Sequence, residues 1–259
     1  MKRKGIIVAS FGTTYESTRK LCIESIENLV IEKYKDYKVL RAFTSEKIIK
    51  ILKDRDGIDI YNPKEALEKM KESGINEISI LPLLMLAGYE YEKIISQVQS
   101  FKAENKDFII NIGKPLLYEE SDLHKVIDGL SGEGILQDKA IVFMGHGTGH
   151  SRDKVYTELN NLFIKKGFKN IFIGTVEGSK TLDDIILSLR ENKIKDVILR
   201  PFMLVAGDHA INDMASEKED SWISILKANE IEAKAVISGF GEIKAMQNIF
   251  LENLVTTIG

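Results

Sequence analysis

Two of the four histidines in this chain follow strand-like segments and are the side chains best suited to bind a transition metal. His146 lies in Gly145-His146-Gly147, where glycine on both sides lets the backbone turn sharply and leaves the imidazole accessible. The alternative is a ring that only hydrogen-bonds a loop carbonyl. His209 follows Asp208, a predicted helix N-cap. Because a cationic histidine is disfavoured at a helix N-terminus, we expect His209 to be neutral, the form that binds metals.

Two carboxylates extend this predicted donor set. Glu177 ends a predicted strand, and Glu90 stands two residues after Gly88, just as His209 stands two residues after Gly207. The alternatives are that Glu90 compensates a helix dipole and that Glu177 is a solvated turn residue. Imidazole and carboxylate groups are donors that suit Co²⁺, Ni²⁺, Fe²⁺ and Zn²⁺. With one cysteine in the chain, a closed structural zinc site built on thiolates is disfavoured.

The other candidate side chains carry weaker signals. His150 follows His146 by four residues, but Gly147 and Gly149 disfavour the helix that would pair the two rings. We expect His124 on the surface of a polar helix. Four basic residues just past predicted strand ends could bind substrate carboxylates or be ordinary surface charges: Arg19, Arg41, Arg152 and Lys180.

The elements that must position these residues alternate between short apolar strands and longer helices. The predicted strands are Gly5–Phe11, Lys38–Phe43, Glu77–Leu84, Phe108–Ile112, Lys139–Gly145, Asn170–Val176, Asp196–Phe202 and Ala233–Ser238. The predicted helices are Tyr15–Lys33, Pro63–Glu72, Ser151–Lys166, Thr181–Glu191, Ile211–Asn229 and Glu242–Thr256. Continuous apolar strands alternating with helices indicate parallel sheets covered on both faces.

The order of elements repeats along the chain. Ser10-Phe11-Gly12-Thr13 follows the first strand, and Gly145-His146-Gly147-Thr148 follows the fifth. The segments Leu83–Gly88 and Phe202–Gly207 match in the same way. We therefore predict an α/β fold of two similar doubly wound lobes with parallel sheets, a pseudo-twofold internal repeat, at residues 1–130 and 131–259. A cleft is expected between them, and the glycine-rich segment Asp128–Gly134 is the expected lobe boundary.

Composition excludes several classes of protein. The 259 residues include 36 basic and 39 acidic side chains, a net charge of −3, which argues against a general nucleic-acid binder. No apolar run has the length of a membrane span, and the apolar core of the first ten residues is too short for a signal peptide. We therefore expect a cytoplasmic protein, as a monomer or a small homo-oligomer.

Four segments together resemble the anaerobic-pathway cobalt chelatases, the sirohydrochlorin cobaltochelatases. They are Ser10–Thr14, Gly88–Ile94, Gly145–Gly147 and Pro201–His209. The resemblance implies a chelatase fold that works without ATP and inserts Co²⁺ into sirohydrochlorin, or its precursor precorrin-2, on the way to cobalamin. It implies cobalt and a tetrapyrrole as substrates and no tightly bound cofactor.

The resemblance also implies roles for single residues. His146 and His209 match the family's metal-binding histidines, Glu90 its acidic residue after the first-lobe glycine, and Glu177 a strand-end glutamate of the same site. His146, Glu90 and Glu177 are the predicted catalytic residues, and His146 is the expected ligand and proton acceptor, since histidine ordinarily titrates near neutral pH. Tyr89 departs from the acidic residue expected in some relatives.

Two alternatives stay open at this point. Ferrochelatases share the fold but usually pair one histidine with a glutamate where this chain has His209. The second histidine therefore favours the cobalt enzyme. A chelatase of the same fold that inserts Fe²⁺ or Ni²⁺ is the first alternative. The second is a two-lobed binding protein that takes a small ligand and performs no chemistry.

Overall fold

The chain folds into two compact units, each built on one parallel sheet. A computed structural model describes residues 4–136 and 139–258. The first unit comprises the chain up to Tyr118 together with the segment from Met246 onward, and the second comprises Glu119–Ala245. No helix in the described part of the chain is long and apolar enough to cross a membrane.

The first unit contains four parallel strands in the order β2-β1-β3-β4. The strands are β1 Lys4–Ser10, β2 Tyr37–Phe43, β3 Glu77–Leu83 and β4 Ile109–Ile112. The helices are α1 Glu16–Thr18, which continues through a π-helical segment, Arg19–Glu24, into α2 Ser25–Lys33, then α3 Glu46–Asp56, α4 Pro63–Glu72, α5 Tyr89–Glu104 and the C-terminal α10 Lys244–Val255.

Both faces of the first sheet are buried. Ile7 and Ile80, aligned across β1 and β3, belong to a core cluster that includes Met70 of α4 and Phe101 of α5. Their neighbour Val8 points to the opposite face and is 1% exposed. Burial on both sides explains why the strands are continuous apolar runs rather than alternating ones.

The second unit repeats this architecture in the order β6-β5-β7-β8. Its strands are β5 Ala140–Gly145, β6 Ile171–Thr175, β7 Asp196–Phe202 and β8 Glu232–Ala235. Its helices are α6 Glu120–Gly132, α7 Lys154–Lys165 after a 3-10 turn at Ser151–Asp153, α8 Leu182–Glu191, a π-helix at His209–Met214, and α9 Trp222–Ala228, followed by a 3-10 turn at Phe240–Glu242.

Helices cover both faces of the second sheet. Val142 belongs to a core cluster with Ile185 of α8 and Trp222 of α9. The next residue, Phe143, points to the other face and stacks on Phe163 of α7 with ring centroids 6.5 Å apart. The predicted doubly wound parallel sheets are therefore confirmed.

The eight predicted strands are confirmed, with ends that shift by a few residues. The predicted helix Ile211–Asn229 is wrong, because the chain forms the π-helix at His209–Met214 and the separate helix α9. The polar run between them explains the break: Ser216 Oγ bonds the carbonyl of Asn212, and Ser221 Oγ caps α9 by accepting from the N–H of Ser224. Helices α3 and α5 lie outside the predicted ones.

The internal repeat extends to backbone conformation. Gly12 and Gly147, which follow β1 and β5 at matched positions, both have positive φ, +93° and +78°. Thr13 Oγ1 accepts from the N–H of Tyr15, and Thr148 Oγ1 accepts from the N–H of His150. The same sharp turn thus follows the first strand of each sheet.

The unit boundaries differ from the predicted ones at residues 130 and 131. Helix α6 follows β4 in the chain but belongs to the second unit, and α10 follows β8 but belongs to the first. The glycine-rich segment predicted as the boundary includes the last turns of α6, whose Leu130 is fully buried. In the first unit, Ser79 Oγ and Asn111 Nδ2 both donate to the carbonyl of Thr257. A glycine-rich segment indicates a flexible backbone. It does not show which sheet the apolar side of the neighbouring helix packs against, so it did not locate the unit boundary.

Candidate metal-binding and catalytic site

The carboxyl edge of the second sheet carries both predicted metal-binding histidines. From β5 the chain continues to β6 on one side and then crosses to β7 on the other side of β5. The carboxyl ends of β5 and β7 therefore form the switch point at which open α/β sheets bind ligands. His146 directly follows β5, and His209 begins the π-helix that follows β7. The topology therefore places the two histidines on either side of this switch point.

The two imidazole rings meet. Their centroids lie 4.6 Å apart and their planes are perpendicular, at 90°. Nδ1 of His146 lies 2.9 Å from the carbonyl oxygen of Gly147, and Nδ1 of His209 lies 2.5 Å from Oδ2 of Asp213. Because both partners are acceptors, each Nδ1 carries a hydrogen, and the neutral form of each ring is the Nδ1–H tautomer. In each ring, Nε2 then holds the lone pair that a metal requires.

The backbone at His209 explains how its ring reaches Asp213. Residues His209–Met214 form a π-helix, a rare conformation that is often found at functional sites. Asp208, the predicted N-cap, already has helical φ and ψ, and its side chain makes no capping bond. Its Oδ1 instead accepts from Nδ2 of Asn212, so the prediction of a side-chain cap is wrong.

Glu177 lies beside His146, in the loop that follows the neighbouring strand β6. The N–H of Glu177 donates to the carbonyl oxygen of His146 over 2.8 Å. Oε2 of Glu177 lies 3.9 Å from Nδ1 of His146, and 62% of the Glu177 side chain is exposed. The structure thus brings together three of the predicted site residues: His146, His209 and Glu177.

Glu90 belongs to the first unit, in the first turn of α5 after β3. Within the described residues, its Oε2 is a buried oxygen that has no hydrogen-bond partner. Buried polar atoms are usually hydrogen-bonded, so an unpartnered carboxylate oxygen is free to bind a ligand or a proton. The participation of Glu90 in metal binding stays a prediction.

The donor set is open rather than closed. Among residues 4–136 and 139–258, no three histidine, cysteine or carboxylate side chains already converge on one point as a metal site. Structural zinc sites, in contrast, are fully enclosed by protein ligands.

The chain's similarity to known proteins is consistent with this chemistry. Residues 4–259 match the family described as Cobalt chelatase (CbiK). The chain belongs to this family. As a member of a family of metal chelatases it is an enzyme, which decides against the alternative of a binding protein without chemistry.

Two relatives cover nearly the whole chain. The sirohydrochlorin cobaltochelatase of Salmonella typhimurium is 37% identical over 254 residues, which are 97% of this chain and 95% of that protein. The sirohydrochlorin cobaltochelatase CbiKC of Nitratidesulfovibrio vulgaris is 30% identical over 268 residues, 100% of this chain and 92% of that protein.

Solved structures confirm the chelatase fold. SirB from Bacillus subtilis with Fe³⁺ superposes with a TM-score of 0.68 at 15% identity, over 98% of this chain and 95% of that one. The sirohydrochlorin chelatase SirB from Bacillus subtilis subspecies spizizenii, in complex with cobalt, superposes with a TM-score of 0.65.

The weaker candidates make contacts of their own in the described part of the chain, and a role in substrate binding stays a prediction for the basic ones. Nδ1 of His150 accepts from the N–H of Arg152, and the backbone between His146 and His150 is not helical, as expected. His124 lies partly buried on α6. Nε of Arg41 donates to Oε1 of Glu27 over 2.8 Å. Burial lowers the pKa of the Arg41 guanidinium, but the carboxylates of Glu27 and Glu24 together outweigh burial and raise that pKa. The Arg19 guanidinium is buried near Glu24, with 3.5 Å between Nε and Oε1.

Sequence reasoning missed two carboxylates that contact this candidate site or its loops, Asp213 and Asp153. Asp213 stands four residues after His209, a spacing that brings side chains together on a helix and could have been noticed. Asp153 lies on the 3-10 turn before α7 and is only 8% exposed. Its partners come from two separate loops, so no local spacing in the sequence indicates its role.

Proposed function

We propose that this enzyme inserts Co²⁺ into sirohydrochlorin without ATP, as a step towards cobalamin, with precorrin-2 as the alternative macrocycle. Family membership and the names of the relatives support cobalt and sirohydrochlorin as substrates. The observation that carries the proposal is the pair of facing imidazoles, 4.6 Å apart, each with its Nδ1 held by an acceptor.

The two Nε2 atoms are the proposed ligands of the incoming cobalt ion. Nitrogen donors suit Co²⁺, and two protein ligands leave coordination positions for water and then for pyrrole nitrogens. His209 shares the metal with His146. A site with few protein ligands releases the ion to the macrocycle, whose four nitrogens replace them.

Insertion also requires acceptors for two protons, because a neutral macrocycle gives up two pyrrole hydrogens when its nitrogens bind a divalent ion. His146 is the first proposed acceptor, through Nε2 once the cobalt ion has left that nitrogen for the macrocycle. Glu177, with Oε2 3.9 Å from Nδ1 of His146, can pass protons towards solvent because most of its side chain is exposed. The unpartnered oxygen of Glu90 is the proposed further ligand or acceptor.

The test replaces each histidine and follows the change in macrocycle absorption when Co²⁺ is inserted. We expect His146→Ala and His209→Ala each to lower kcat/KM by at least about 100-fold, because each removes a ligand and His146 also removes a base. His124→Ala, on α6, is the matched histidine control and should keep the wild-type rate. Glu90→Gln and Glu177→Gln test the carboxylates in the same assay. Near-normal turnover by folded His146→Ala would remove that residue from the mechanism.

Insertion of Fe²⁺ or Ni²⁺ is the second candidate function, since imidazole and carboxylate donors suit these ions too. Comparing the initial rates of insertion for the three metals decides between them, because bare affinity follows a general metal series and does not report the preferred substrate. A cytoplasmic location, the absence of a resident cofactor and the oligomeric state stay predictions.

A further inference from the structure

Two loops of the second unit hold His146 and Glu177 beside one another. They are the β5 loop, 146–149, and the β6 loop, 176–180. Backbone bonds join them, from the N–H of Val176 to the carbonyl of Gly145 and from the N–H of Glu177 to the carbonyl of His146. A Cβ on Gly147 would stand 2.3 Å from the backbone nitrogen of Gly178. The two backbones are therefore packed against each other with no room for a side chain between them.

The Asp153 carboxylate joins the two loops a second time. Oδ1 accepts from the N–H of Thr148 in the β5 loop over 3.0 Å. Oδ2 accepts from the N–H and the Oγ of Ser179 in the β6 loop, over 2.8 and 2.7 Å. Hydrogen bonds to a carboxylate are stronger than neutral ones, and three of them compensate for burying the charge of a residue that is 8% exposed.

The carboxylate is tightly packed on the side of Gly178. A Cβ on Gly178 would lie 2.3 Å from Oδ1 of Asp153. Tyr156, three residues further along, lies under the same β5 loop, since a Cβ on Gly145 would meet its ring at 2.6 Å. The start of α7 thus presents an acid and an aromatic ring that hold the β5 loop in one conformation.

In the first unit the loops are built in the same way, but the residue at the position of Asp153 carries no charge. At matched positions the N–H of Thr44 bonds the carbonyl of Ser10, and the N–H of Ser45 bonds the carbonyl of Phe11. Thr18, uncharged, occupies the position that corresponds to Asp153. The charged bridge is therefore found in the repeat whose loops carry His146 and Glu177, not in the repeat that carries Phe11 and Ser45.

We propose that Asp153 is a positioning residue for metal insertion, which fixes His146 and Glu177 relative to each other by binding both of their loops. It touches neither imidazole nor substrate and acts through the backbone. The inference rests on the proposed function of His146 as a ligand. Supporting carboxylates around metal ligands typically affect activity by about 10- to 100-fold.

Asp153→Asn tests the proposal because it keeps the size of the side chain but replaces one carboxylate oxygen by an NH₂ group. That group is a donor and would face the donor N–H of Thr148 or Ser179. We expect kcat for cobalt insertion to fall by about 10- to 100-fold while KM for the macrocycle stays within about twofold. The amides of Thr148 and Ser179 should exchange with deuterium faster than in the wild type. Ser179→Ala, which loses one of the three bonds, should show a smaller effect in the same direction and serves if Asp153→Asn does not fold.

Asp184→Asn is the matched control, because Asp184 also accepts from a backbone N–H and a hydroxyl, those of Thr181 at the start of α8. It should leave kcat unchanged. In the His146→Ala background, Asp153→Asn should lower the residual rate no further, since it acts through a side chain already absent.

Equal losses in both backgrounds, or a loss no larger than that of Asp184→Asn, would overturn the proposal. Faster amide exchange with wild-type kcat would overturn it too, because the loops would then be loosened without consequence. An inactive wild-type enzyme would refute the proposed function instead, a result that the kinetic comparison separates from the role of Asp153.

Discussion

His146 and His209 are oriented by acceptors of different kinds. A backbone carbonyl holds Nδ1 of His146, whereas the Asp213 carboxylate holds Nδ1 of His209. A carboxylate makes the stronger hydrogen bond and increases the electron density on the ring. The His209 ring therefore depends on one side chain that can be changed without touching any proposed ligand.

Replacing Asp213 tests that dependence. We expect Asp213→Asn to raise KM for Co²⁺ and lower kcat/KM for insertion by about 10- to 100-fold, since the amide oxygen still accepts from Nδ1 but carries no charge. Asp213→Ala should lose more, because the ring is then free to rotate and to change tautomer. KM for the macrocycle should not move in either variant. Steady-state rates across a Co²⁺ series measure both constants.

The control for Asp213 is Glu158→Gln on α7. Glu158 is also paired with a residue four positions away on the same helix, since its Oε1 lies 3.6 Å from Nζ of Lys154. Its kinetics should match those of the wild type. If Asp213→Ala kept the wild-type KM for Co²⁺, the carboxylate would have no part in orienting His209.

The sequence predicted His146, His209 and Glu177 because ligand sites lie beyond the carboxyl ends of parallel strands, and each follows a strand. It did not predict Asp213 or Asp153. The four-residue spacing of Asp213 from His209 is compatible with their contact, but the same spacing is common on helices and does not by itself indicate that the pair supports a metal ligand. Asp153 bonds residues on both sides of it in the chain, so its role becomes visible only once the loops are folded.

At the scale of elements, helix α7 supports the β5 loop through Tyr156 as well as through the turn that carries Asp153. Burial raises the pKa of the Tyr156 phenol to about 12, and the nearby Asp153 raises it too, against a hydrogen bond from the backbone of Gly147. The phenol is 2% exposed. The folded state therefore favours the neutral, protonated form of the Tyr156 phenol.

Tyr156 should make the enzyme lose stability in alkali. An unfolded tyrosine has a pKa of 10.0 and the folded one about 12, so between these values the unfolded state has released a proton that the native state keeps. The free energy of unfolding should therefore fall as pH rises through this range, by up to about 3 kcal/mol. Tyr156→Phe should remove that part of the loss.

Urea unfolding of wild type and Tyr156→Phe, from about pH 8 to about pH 12, measures the difference. Near neutral pH the variant should be less stable by about 1 kcal/mol, because it leaves the Gly147 N–H without its acceptor. With rising pH the two stability curves should converge and then cross, since the wild type loses more than its initial advantage. Parallel curves would show that the phenol ionises equally well in the folded enzyme.

Strands were the elements best predicted, because burial on both faces makes central strands such as β1, β3 and β5 largely apolar runs of characteristic length. Helices were predicted less well. The chain between Ile211 and Asn229 has apolar residues at helical spacing, but Ser216 and Ser221 bond local backbone groups and end one helix and begin another. Such side-chain bonds compete with the helix and do not alter the apolar periodicity.

For the whole molecule, the sequence indicates the repeat but not the partition of the helices. The same strand order occurs twice, and the segments matched in the sequence occupy matched strand ends. Yet α6 and α10, which follow the last strand of each sheet, belong to the opposite compact units. Both helices bury apolar residues, and packing determines which sheet each helix covers.

Two core substitutions test which compact unit each of these helices stabilises. Phe250 on α10 and Leu130 on α6 are both fully buried. We expect Phe250→Ala to cost about 3 to 5 kcal/mol and Leu130→Ala about 2 to 5 kcal/mol of unfolding free energy. If the helices belong to the units as the structure divides them, Phe250→Ala accelerates hydrogen exchange chiefly in β1, β3 and β4, and Leu130→Ala chiefly in β5, β6 and β7.

Each variant is the control for the other, since both remove a buried side chain from a helix that follows an edge strand. A domain division at residue 130 requires the reverse for Phe250→Ala, because α10 would then stabilise the sheet that carries His146. Faster exchange in β5 to β7 with unchanged exchange in β1 to β4 would favour that division. Peptide-resolved exchange distinguishes the two because the strands lie in well-separated parts of the chain, Lys4–Ile112 and Ala140–Ala235.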